Sequence, residues 1–254
     1  MPRESSTPAA APDRASAQAG AATAPHEAVA REARALSVAV LSARRTPEAP
    51  ARVGREAMER AEAAFAELRK DDESVEREVQ GLHCKKYCAH CCYRMVSATP
   101  PEIFHLADYI QTTFSAKALA KLKARLRELD RKTSGMTPVE RAGAREPCAL
   151  LVGRLCSAHP ARPAICRGFN SRDVGACERA LRRRDVTIPV FLAQYRIFAH
   201  AHLGVRAGLA DCGLSSTHVE LTRALRIALE TPDAAARWLA GEPVFRAAEL
   251  ASAP

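Results

Sequence analysis

The chain has 254 residues, 47% of them hydrophobic and 26% charged. This is ordinary globular usage, which excludes collagen-like and wholly disordered classes. Aromatics at 5% leave little for base or sugar stacking, and no apolar run reaches the roughly 18 residues of a membrane-spanning helix. The net charge is +9, but 31 of the 38 basic residues are arginine, and the clusters at Arg44-Arg45, Lys85-Lys86 and Arg182-Arg183-Arg184 are short and scattered. Such a pattern describes solvated helix surface before it describes a phosphate track.

Residues 1–28 lack Leu, Ile, Val, Phe, Tyr and Trp, so they have too little apolar surface to offset their ordering entropy and are expected to form a disordered tail. No apolar stretch follows Arg3 as in a secretory signal, and Glu4, Asp13 and Glu27 argue against a transit peptide. A reducing cytoplasm is therefore the expected compartment. Residues 29–80 read as N-terminal helices. One carries the stripe Val29, Leu36, Val40 and Leu41, and a second runs from about Ala51 to Val79 with Gly81 as its stop.

Residues 81–245 read as the main domain. Thr99 is a strong N-cap, followed by Pro100, Pro101 and Glu102 at the capping-box position. Ile103, Leu106 and Ile110 follow at helical spacing; Ser115 starts the next helix, with Leu119, Leu122, Leu126 and Leu129, and Thr133-Ser134-Gly135 ends it. Residues 146–172 hold Pro147, Gly153, Pro160, Pro163 and Gly168, a loop-rich stretch with at most one short strand near Leu150 to Val152. Helices are expected again at about 173–183, 189–210, 216–230 and 232–240. The fold class is all-α, organised around loops that carry the cysteines.

Eight of the nine cysteines fall between Cys84 and Cys177. The first group is Cys84-x3-Cys88-x2-Cys91-Cys92; the second is Cys148, Cys156, Cys166 and Cys177. On an α-helix the first group would share one face, so inert core thiols are one reading. A disulfide network is another, opposed by the reducing compartment. The third is a metal site: thiolates suit tetrahedral zinc or iron–sulfur clusters and do not suit calcium or magnesium. Adjacent Cys91 and Cys92 point in different directions, so they should serve two ions, or one should ligate while the other packs. Two four-thiolate sites are the simplest partition. His83, His90 and His159 lie beside the cysteines and are spare ligand candidates, whereas His105 and His218 read as surface or capping residues. Arg162 and Arg167 flank Cys166, with Arg154, Arg172, Lys85 and Lys86 nearby; they either stabilise thiolates or brace the loop.

These residues resemble the YkgJ-type cysteine-cluster family, a zinc- or iron-chelating CxxCxxCC domain. Cys84, Cys88, Cys91 and Cys92 look like its first cluster, with a first gap of three residues here rather than two. Cys148-Ala-Leu-Leu, Cys156, Arg162-Pro163, Cys166-Arg167-Gly168-Phe169, Ser171 and Cys177 look like its second block. The resemblance covers about residues 80–180, with a looser likeness through Trp238-Leu239 and Gly241. It implies chelation of zinc or iron by the eight cysteines and no settled reaction. A related cluster in flagellin lysine methylases keeps a redox or methyl-transfer enzyme using an iron–sulfur cluster in view. A basic nucleic-acid-binding module is a third reading, motivated by charge alone. No GxGxxG, Walker or HExxH motif is present.

Overall fold

The computed structural model describes residues 24–43, 45–183 and 185–250; the tail expected over 1–28 lies largely outside them. The first helix, α1 (Pro25–Ala43), starts four residues before Val29 and buries Val29, Ala33, Leu36 and Leu41. The long helix expected next is two helices, α2 (Ala49–Asp71) and α3 (Glu73–Gln80). Asp72 breaks them: its backbone is extended, and its side chain accepts hydrogen bonds from the amides of Ser74 and Val75. Asp at that position favours a cap over a helix interior.

The Thr99 cap is present as expected. Thr99 and Glu102 form a reciprocal capping box that opens α4 (Pro100–Thr113), and Ser115 caps α5 (Ala116–Thr133). A short helix that the sequence reading passed over, α6 (Pro138–Ala144), is opened by a second capping box from Thr137 and Glu140. Beyond it come α7 (Ala164–Gly168), α8 (Val174–Ala180), α9 (Leu192–Asp211), α10 (Leu221–Glu230) and α11 (Ala234–Leu239).

The extended elements are few. β1 (Ser97–Ala98) pairs antiparallel with β4 (Val219–Glu220), and β2 (Leu151–Val152) pairs with β3 (Leu155–Cys156). The single strand expected near 150–152 is thus one arm of a hairpin. Its two-residue turn, Gly153-Arg154, has positive φ at both positions (56° and 65°), as a type I′ turn requires.

The helical body is built on two close crossings, α1 on α9 and α2 on α4. Glycine permits both: a Cβ on Gly204 would overlap the carbonyl of Ala30, and one on Gly54 would overlap that of Pro101. Leu41, Val53, Ile103, Leu106, Ile110, Leu122, Val205, Leu209 and Leu225 are wholly buried in one continuous core. No helix of the described residues is long and apolar enough to cross a membrane.

Candidate metal centre

The first cysteine group does not lie on an α-helix. Residues 84–89 are irregular, and Cys91 and Cys92 sit on a single 3₁₀ turn, His90–Tyr93. The shared helical face on which the inert-core reading rested is therefore absent, and of the eight thiols only Cys177 is buried as a whole residue.

Backbone hydrogen bonds stitch the two cysteine blocks together. The His83 amide donates to the Ser171 carbonyl at 3.0 Å, and the Ser171 amide donates to Cys84 Sγ at 3.2 Å. The Val174 amide donates to His83 Nδ1, so that nitrogen is occupied in joining the loop to the start of α8. At the other end, the Cys148 amide donates to the Cys92 carbonyl at 2.7 Å. The β2–β3 hairpin then returns Cys156 toward Cys148, opposite Leu151. Arg154 Nε donates to the carbonyl of Tyr87, which itself has φ 74°. Two left-handed residues, one from each block, are thereby held against each other.

The thiols consequently lie within one another's fields. Burial pushes Cys84 up to about 11, with repulsion from Cys88, Cys91 and Cys177 behind it. Cys148 is pushed up to about 11 by burial and by Cys156. Cys166 is driven well above the usual thiol range by burial, then by Cys148, Cys91 and Cys156. Cys91 is the exception. A hydrogen bond from Cys92 brings it down to about 7, helped by the guanidinium groups of Arg162 and Arg94, and Cys92 is raised in return.

Arginine use is divided. Arg167 is buried and turned to Glu62 and the carbonyls of Arg162 and Pro160, so it braces the loop. Arg172 pairs with Glu78. Arg162, by contrast, acts on Cys91, Cys156 and Cys166. Sequence reasoning missed Arg141. It is only 2% exposed, donates to the carbonyls of Tyr93 and Glu146, and has a buried Nε with no partner. Among the described residues no ion pair links it to a carboxylate; Glu220, Cys148 and Glu146 are the groups whose charge favours it.

A buried cation with an orphaned donor beside a thiol is what a thiolate-rich centre would complete. The donor set, all soft sulfur, also fits zinc or iron. The spacing is open, however. Among the described residues, no three His, Cys, Asp or Glu side chains stand at the separation that encloses an ion. The thiols are gathered but not drawn in. Cys212, the ninth cysteine, caps α9 far along the chain, 3.8 Å from Ser42 Oγ, and takes no part.

A comparison with protein families matches this region. Residues 83–184 match the CxxCxxCC family. The family's description is "Putative zinc- or iron-chelating domain", and the matched stretch contains all eight clustered cysteines. No curated protein and no solved structure matches the chain. The matched residues run from the first cysteine loop through α4 to α8, whereas α1 to α3 and the helices from α9 onward lie outside them.

His105 and His218, expected as surface or capping residues, are half-buried, and His218 meets a third histidine on α9. His202 is buried, its Nδ1 2.9 Å from Glu102 Oε2 and its Nε2 2.8 Å from His218 Nδ1. Glu102 also accepts from the Ala164 amide at 2.7 Å. The capping-box carboxylate thereby ties α4 and α9 to α7, the helix that carries Cys166.

Proposed function

We propose that Cys84, Cys88, Cys91, Cys92, Cys148, Cys156, Cys166 and Cys177 bind zinc or iron as thiolates, and that the bound metal fastens the cysteine loops onto the helical body. The carrying observation is that hydrogen bonds from Ser171 to Cys84 and from Cys148 to Cys92 join two cysteine blocks far apart in sequence, while Cys212 lies at the end of α9 beside Ser42. A closed thiolate site supplies folding free energy, because the ligands are not preassembled in the unfolded chain. Arg162 and Arg141 are placed to offset the thiolate charge, and the Cys92 hydrogen bond already favours the thiolate at Cys91.

Elemental analysis of the chain purified without oxygen tests this reading. Zinc or iron should be bound in the wild type, unchanged in Cys212→Ser, and diminished in Cys166→Ser. Absence of both metals, with all nine thiols reacting freely in the folded protein, would refute it. The absorbance spectrum of the same sample separates the chemistries. A broad visible band identifies an iron–sulfur cluster and favours a redox or methyl-transfer enzyme; a colourless, zinc-loaded protein favours a structural chelator.

A further inference from the structure

We propose that the cysteine loops carry a docking surface for an acidic segment of another protein, centred on Tyr87 and the β2–β3 hairpin. The surface stands on side chains other than the thiols and is independent of the metal-binding reading.

Apolar side chains mark the place. Of the seven large ones exposed among the described residues, Tyr87, Val152 and Leu155 lie together at the hairpin. Val152 and Leu155 are cross-strand partners, so both side chains leave on one face, while Leu151 and Cys156 turn to the other. The Arg154 side chain reaches from the hairpin turn to the Tyr87 carbonyl, which sets Tyr87 beside the hairpin tip. Tyr87 is also strained. Its φ of 74° is one that a bulky residue rarely adopts, yet it is 52% exposed and recovers little by burial. Glycine would take that backbone without steric cost. Strain of this kind collects at functional positions, and tyrosine is a frequent anchor at the centre of protein interfaces.

Charge identifies the occupant. Residues 79–101 and 147–172 contain no Asp or Glu. Within them, Arg167 and Arg172 pair with Glu62 of α2 and Glu78 of α3. Lys85, Lys86 and Arg154 are exposed and, among the described residues, enter no ion pair. The Lys86 ammonium lies 5.4 Å from the centre of the Tyr87 ring, so Lys86 and Arg154 both turn to Tyr87. An apolar anchor ringed by unpaired cations complements a segment whose carboxylates flank a large apolar residue. A bilayer fits less well, because three side chains bury little and even a whole acyl chain binds a membrane only marginally. A nucleic acid also fits less well, because one ring makes no platform for successive bases.

The test selects a random phage-displayed peptide library on the full chain purified without oxygen, with the Tyr87→Gly chain as counter-target. Peptides retained by the wild type should carry Asp or Glu on both sides of a large apolar residue. Synthetic copies should bind Tyr87→Gly, and the double variant Lys85→Glu with Lys86→Glu, roughly tenfold or more weakly. Tyr87→Gly relieves the backbone strain, so its urea midpoint should equal or exceed that of the wild type, and its loss of binding is then not a loss of folding. Val152→Thr with Leu155→Thr gives a second reading of the apolar anchor. No enrichment over the counter-target, retained peptides without acidic bias, or equal binding by the variants overturns the proposal. Phosphatidylserine vesicles and oligo(dT) are run in parallel. If either is bound through Tyr87 and no acidic peptide is, the occupant is a membrane or a nucleic acid and the proposal falls.

Discussion

Glu102 carries more of the structure than its place in a capping box implies. One oxygen takes the Thr99 amide and hydroxyl and His202; the other takes the amide of Ala164. Burial alone would raise its pKa, but the charge and hydrogen bond of His202 and the two amides outweigh it and hold the carboxyl at about 2. Removing one partner of a buried pair leaves the other uncompensated, so Glu102→Gln should cost roughly 3–5 kcal/mol in urea unfolding at neutral pH. The carboxylate is depressed from its ordinary 4.5, so its contribution is whole above about pH 5 and is lost as pH falls toward 2. The stability gap between wild type and variant should therefore narrow over that range; a gap constant with pH would show that the carboxylate's charge is not what matters.

At the scale of elements, what local chemistry dictates was legible and what distant pairing dictates was not. Thr99, Ser115 and the Thr133-Ser134-Gly135 stop each act within a turn of themselves, and the structure agrees at each. The break at Asp72 and the box at Thr137-x2-Glu140 were equally local signals that went unread. The β1–β4 pair could not be read, because two-residue strands so far apart in sequence leave no periodicity. The site divides similarly. The cysteines announce themselves by type and spacing, whereas Arg141 becomes notable only when its burial and its bonds to Tyr93 and Glu146 are seen. Helix crossings supply a prediction here. Gly204→Ala places a methyl against the backbone of Ala30, so α1 and α9 must separate. The substitution should destabilise by about 1–3 kcal/mol, despite the better helix propensity of alanine. Gly143→Ala on α6 meets nothing within 4 Å and should be neutral or slightly stabilising in the same urea titration.

Over the whole molecule, stability is unevenly distributed between the helices and the cysteine loops. The fully buried large side chains, among them Leu41, Met58, Ile103, Ile110, Leu126, Ile197, Leu209 and Leu225, belong to α1, α2, α4, α5, α9 and α10. The cysteine loops add mostly small residues, Ala89, Ala149, Ala158, Ala161 and Ala164, and leave Tyr87, Val152 and Leu155 exposed. Apolar burial scales with area, so the helices hold together through their own core while the loops depend on a few hydrogen bonds and, when bound, metal. Chelation of the metal-loaded chain should then open the molecule in part. Amides of Cys88, Cys92, Cys148 and Ser171 should lose protection against hydrogen exchange by tenfold or more, since losing even about 1.4 kcal/mol of local stability has that effect. Amides of α1, α4 and α9 should keep theirs, and the far-ultraviolet helical signal should change little. Uniform loss of protection across both regions would mean that metal and helices form one cooperative unit, with Glu102 as the natural link, because it bonds α9 and the start of α7 at once. Repeating the exchange on Glu102→Gln would then show whether that link carries the coupling.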